Sequence, residues 1–138
     1  MKQPSLDRFL QAQEPVIGRV LGELRAGRKA SHWMWFVFPQ IRGLGHSPMA
    51  RHFAIASRAE AEAYLRHPVL GSRLRECTRL VNAVEGRTIE DIFGYPDYLK
   101  FRWSMTLFAN VTMENQAFAD ALNKYFGGEH DPLTLERL

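Results

Sequence analysis

The chain has 138 residues, 46% of them hydrophobic and 24% charged, with a formal net charge of +3. These totals describe one globular domain over residues 1–138, long enough to bury roughly two-thirds of the surface its unfolded chain exposes. They exclude a disordered or low-complexity chain, and so small and scattered a basic excess argues against nucleic acid as a partner.

Cys77 is the only cysteine, so no internal disulfide and no thiolate zinc site can form. Within "RLRECTRLV" it reads as a packed core thiol, with a nucleophile as the alternative. "MKQPSLDRFL" carries no apolar leader core, and no apolar run approaches the ~20 residues of a membrane span. The expectation is a soluble, cytoplasmic protein without a membrane partner.

Helix signals dominate in chain order. Ser5 caps a first helix whose Leu6, Phe9 and Leu10 share one face. Pro15 either kinks it or opens a second helix, which carries Val16, Val20, Leu21 and Leu24 and stops at Gly27. "WMWFVF", apolar at every position, is either a buried strand near 33–38 or an irregular segment crossing the core, ended by Pro39. "RGLGHSP" reads as a loop, with Gly43 and Gly45 supplying turn conformations.

Ser47 and Pro48 open a short helix through about Ile55. Ser57 with Glu60 forms a capping box for a helix to about Arg66. Pro68 opens the next helix, bearing Val69, Leu70, Leu74, Cys77, Leu80, Val81 and Val84 and ending at Gly86. Thr88 with Asp91 makes an acidic variant of the box for a short helix to Gly94. Asp97 begins "YLKFRWSMTLFANV"; Glu114 or Asn115 begins a helix with Phe118, Leu122, Tyr125 and Phe126, closed by Gly127 and Gly128. Asp131 and Pro132 start a terminal turn. Such short helices are unstable alone and must pack on one another. The expected fold is mainly α: a compact irregular bundle of short helices with little or no strand.

Phosphate-loop, dinucleotide, serine-hydrolase and zinc-protease signatures are absent. The five histidines lack helical ligand spacing, so neither a metal nor another cofactor is expected. Three constellations remain. His32 stands beside Trp33 and Trp35, and Gln40 follows Pro39. The histidine could serve as acid or base or simply pack, the indoles could stack a flat base or fill the core, and the Gln40 amide could read a base edge or cap a helix. Asp97, Lys100 and Ser104, at i, i+3 and i+7, share one helix side and suit a polar or phosphate-like ligand, or form an inert exposed pair. Asp7, Arg8, Gln11 and Gln13 in "LDRFLQAQ" could orient a water or grip a ribose, or be a wet helix face.

"GRKASHWMWFVFPQIRGLGHSPMA", "AYLRHPVLGSRLREC", "IFGYPD", "SMTLF" and "FGGEHDPLTLERL" together resemble the bacterial domain of unknown function eighteen-ten, sometimes labelled calpastatin. The resemblance covers almost the whole chain. It implies a small all-helical domain and no established activity; a calpastatin-type protease inhibitor would be disordered, unlike this capped and patterned sequence.

More faintly, "DRFLQAQ" is similar to the E-H-Y-x-Q-A-Q opening of the NADAR family of NAD and ADP-ribose metabolism. That resemblance implies cleavage of N-glycosidic bonds on ribose phosphates, or removal of ADP-ribose. Asp7 stands at the family's acidic position, Phe9 at its aromatic, and Gln11 and Gln13 at its two glutamines. Asp7 and Arg8 replace a glutamate and a histidine.

The expectation is therefore N-glycosidic hydrolysis on a nucleotide or ADP-ribose-like ligand, with Asp7, His32 and Lys100 as catalytic groups. Arg8, Gln11, Gln13, Trp33, Trp35, Gln40, Asp97 and Ser104 would bind the ligand. The alternative is a non-catalytic binding or regulatory module for a nucleotide-like ligand or a protein.

Overall fold

Capping residues and apolar stripes alternate along the sequence, and ten helices form among residues 5–138, which the computed structural model describes. Residues 1–4, the head of the segment read as leaderless, lie outside the described residues. In chain order the helices are α1 (Asp7–Gln13), α2 (Ile17–Arg25), α3 (Met34–Val37), α4 (Pro48–His52), α5 (Arg58–Arg66), α6 (Leu70–Asn82), α7 (Ile89–Phe93), α8 (Asp97–Ala109), α9 (Gln116–Phe126) and α10 (Pro132–Glu136).

The caps act much as their residue types dictate. Thr88 and Asp91 exchange both hydrogen bonds of a capping box, at 3.1 and 3.2 Å. Asp131 caps α10 by accepting from the Thr134 N–H at 2.9 Å, with Pro132 in the first turn. Ser57 accepts from the Glu60 N–H, but Glu60 does not return the bond. Its Oε1 instead accepts from the Ala56 N–H and from Arg8. Pro15 falls in the turn between α1 and α2, which are separate helices.

The aromatic segment forms neither a strand nor wholly irregular chain: α3 is a single helical turn. A buried strand there would need a partner for every N–H and C=O. The turn satisfies them locally, the Val37 and Phe38 N–H groups donating to the Trp33 and Met34 carbonyls. Helix α4 stops at His52 rather than near Ile55, because the following residues run extended beside residues 40–42. Ile55 N–H donates to the Gln40 carbonyl at 2.8 Å and Arg42 N–H to the Ile55 carbonyl at 2.9 Å, an isolated parallel bridge between Ile41 and Ile55.

Helix α6 packs against α2, α5 and α9, while α8 packs against α5, α7, α9 and α10. Buried between so many neighbours, α8 hides Phe101, Ser104, Met105, Thr106, Leu107, Phe108 and Ala109, most of its circumference. Its buried Thr106 hydroxyl accepts from the Asp131 N–H at 2.9 Å, tying the C-terminal turn to the core. Phe38, Phe93 and Phe101 meet edge-on or stacked with centroids 4.9–5.8 Å apart, and Trp33 closes on Phe38 and Phe93. Helices α5 and α6 cross so closely that a Cβ on Gly71 would stand 2.1 Å from the Leu65 carbonyl oxygen. No helix among the described residues is long and apolar enough to cross a membrane.

Candidate functional site

The sequence candidates separate into three places. Around the start of α8, Trp33, Trp35, Asp97 and Lys100 come together. Asp97 sits between two ammonium groups, Lys29 Nζ at 2.8 Å and Lys100 Nζ at 3.5 Å. Each lysine also lies over an indole, Lys29 at 5.2 Å from the Trp33 ring centre and Lys100 at 5.1 Å from that of Trp35. Ser104 follows Lys100 by one turn and is fully buried, and its hydroxyl and the Trp35 Nε1–H have no hydrogen-bond partner among the described residues.

The loop leading into this cluster is held by Glu23. Its carboxylate accepts from the Ala30 N–H at 2.7 Å, the Ser31 N–H at 3.1 Å, the Ser31 hydroxyl at 2.6 Å and Trp33 Nε1 at 2.9 Å. Burial works to raise the Glu23 carboxyl, but the bonds from Ser31, Ala30 and Trp33 outweigh it and hold the group down at about 2. Trp33, 1% exposed, is a core residue anchored by its N–H.

At the N-terminal helix the candidates are mostly structural. Gln13 is buried and donates to the Phe36 carbonyl at 2.7 Å and the Tyr64 hydroxyl at 3.1 Å. Arg8 donates to the carbonyls of Ser5, His52 and Ala54 and to Glu60 at 2.7–3.1 Å, clamping α1 to the chain around α4 and α5. Asp7 and Gln11 are exposed, as is His32. No hydrogen bond or ion pair among the described residues joins Asp7, His32 and Lys100 to one another.

Gln40 lies in the third place. Residues 40–42 are extended, so their side chains alternate. Ile41 points into the core, and Gln40 and Arg42 line a hollow of about 390 Å³ with Gly43, Gly45, His46, Ala50, Arg51 and Ala54. Two further hollows of about 300 and 430 Å³ adjoin it and share Arg42; one adds Arg137, the other Arg8 and His52. No carboxylate lines any of the three. Arg42 and Arg51 are exposed and form no ion pair among the described residues, whereas Lys29, Lys100, Arg73 and Arg102 all do.

A larger hollow of about 460 Å³ by Met113 mixes Glu62 and Glu114 with Arg66 and Arg75. Arg75 is already engaged by the Glu114 carbonyl and the Phe118 ring. Among the described residues no group of three or more His, Cys, Asp or Glu side chains is placed to hold a metal ion.

Sequence reasoning missed Lys29, Glu23, Arg42 and Arg51. One signal pointed to the arginines: from Leu24 to Ala59 the chain contains no aspartate or glutamate. Arg42 and Arg51, in the interior of that segment, therefore have no acidic neighbour in sequence.

The architecture defines a class: a small all-helical domain in which an isolated strand-like pairing frames a basic hollow. The chain belongs to the family described as "Protein of unknown function (DUF1810)", whose model matches residues 3–138. It is similar to a solved structure, the conserved hypothetical protein Rv1873 from Mycobacterium tuberculosis, at 59% identity and a TM-score of 0.96, covering 96% of this chain and 95% of that one. Comparison with curated proteins gives no match. The fainter likeness to the NADAR family is not supported by these matches.

Proposed function

We propose that the protein binds a small phosphate-bearing, nucleotide-like ligand, seated in the Gln40 hollow with its phosphate against Arg42 and Arg51. The observation that carries this reading is the pair of guanidinium groups, without an ion-pair partner among the described residues, on a carboxylate-free rim. A guanidinium offers a fork of donors matched to phosphate oxygens, and with no carboxylate beside it that capacity is uncommitted. The hollow is also of the size that small ligands occupy. At the Trp–Lys–Asp cluster, by contrast, both ammonium groups are already engaged by the one Asp97 carboxylate and lie over indoles.

The test is thermal stability and titration calorimetry with AMP and ADP-ribose. Binding raises the melting temperature in proportion to ligand excess over Kd. Replacing Arg42 and Arg51 together by glutamine weakens binding about 10- to 100-fold, the worth of one or two charge-assisted hydrogen bonds. Added salt weakens the wild-type complex too, since the rim is solvent-exposed. Failure of both ligands to bind, or equal affinity in the double variant, refutes the reading.

The same samples decide between binding and N-glycosidic hydrolysis. Release of ribose phosphate by the wild type, abolished in Asp7→Asn, would make the protein a hydrolase with Asp7 as its carboxylate. Binding without release leaves a binding module.

A further inference from the structure

Gln40 is 5% exposed, yet its side-chain amide forms no hydrogen bond with any described residue and lines the hollow. The small exposed part of this side chain opens into the hollow, so the amide's donor and acceptor face whatever fills it. The position is not a loose one. The Gln40 carbonyl is held by the Ile55 N–H at 2.8 Å, and the buried Ile41 fixes which way its neighbour points. The opposite wall is cut back to make room: a Cβ on Gly45 would stand 2.9 Å from Gln40 Nε2 and 2.7 Å from the Ala50 Cβ. Between the amide and the arginines the lining is Gly43, Gly45, Ala50 and Ala54, small side chains, with the His46 ring beside them.

An amide presents one acceptor and one donor side by side in a plane. Its complement is a flat group with a donor next to an acceptor, which the edge of an aminopurine supplies. Small side chains beside a ring suit the faces of such a group, and the arginines stand at the rim.

Building on the phosphate reading above, we infer that the hollow selects a 5′-phosphorylated nucleoside whose base edge offers adjacent hydrogen-bond donor and acceptor, with Gln40 as the residue that reads it. Arg42 and Arg51 supply phosphate affinity and Gln40 supplies base specificity. The hollow thus divides recognition between its rim and its floor.

Titration calorimetry of the full chain with AMP and with ribose 5-phosphate tests this. The two probes share the phosphate and differ in the base. Wild type binds AMP at least about fivefold more tightly, the low end of what a bidentate base contact contributes. Gln40→Met, similar in volume and without donor or acceptor, reduces that preference to less than about twofold. Should Gln40→Met fold poorly by melting temperature, Gln40→Glu, which keeps an acceptor and loses the donor, reduces it as well.

Equal affinity of the two probes for wild type, or a preference that survives both variants, overturns the role of Gln40 and leaves the phosphate reading standing. Failure of both probes to bind wild type overturns both.

Discussion

Replacing Glu23 by glutamine separates charge from geometry in the network that holds residues 30–33. Glu23 Oε1 accepts from the Ala30 N–H, the Ser31 N–H and Trp33 Nε1, and Oε2 from the Ser31 hydroxyl. A glutamine whose oxygen takes the Oε1 place keeps three acceptor contacts, and the Ser31 hydroxyl can turn to accept from the new amide. What disappears is the negative charge. A carboxyl brought from its ordinary 4.5 to about 2 corresponds through linkage to at most about 3 kcal/mol. The site is partly open to water, so screening reduces this to about 1–2 kcal/mol.

Because the folded value is depressed, the contribution is fully present above about pH 4.5 and fades as pH falls toward 2. Urea unfolding of wild type and Glu23→Gln at pH 7, 5, 4 and 3 reads it directly. The expected result is a constant gap of about 1–2 kcal/mol at pH 7 and 5 that narrows at pH 4 and 3. A gap under about 0.5 kcal/mol at pH 7, or one that does not change down to pH 3, would show that the charge is not what holds the loop.

Gly71→Ala puts a methyl group against the Leu65 carbonyl oxygen, 2.1 Å from an atom of main chain that cannot rotate away, so α5 and α6 must part. Overpacking there costs about 3 kcal/mol, seen as a fall in melting temperature of roughly 10 °C. Asp97→Asn leaves Lys29 and Lys100 facing each other without their carboxylate, at a cost of about 1–2 kcal/mol that added salt reduces, measured by urea unfolding at two ionic strengths. Burial, reinforced by Glu76, pushes the Cys77 thiol up to about 12. At pH 8 an aromatic disulfide reagent therefore reacts with the native protein at least about 100-fold more slowly than with the chain in denaturant.

Local chemistry was legible wherever a residue acts on its near neighbours. The Thr88 and Asp131 caps and the stop at Gly27 follow from main-chain bonds closed within a few residues, and they stand where the sequence placed them. The i, i+3 spacing of Asp97 and Lys100 likewise produced a real ion pair once α8 formed. Where a residue could face either inward or outward, the pattern left alternatives. "WMWFVF" has no polar position to mark a face, and its shape was settled by which form could satisfy its own main chain.

From sequence alone, then, came the all-helical class, nearly every helix start, and the family resemblance, because caps, periodicity and motif strings are encoded within short windows. Only the tertiary structure decided that Arg8 is a clamp and Gln13 a core strut, for their partners lie dozens of residues away in the chain. It alone set Lys29 beside Asp97, and it alone brought Gln40, Arg42 and Arg51 around one hollow. Such convergence depends on the pairing of residues 40–42 with Ile55 and on how the loop between them turns back, and no local spacing specifies that.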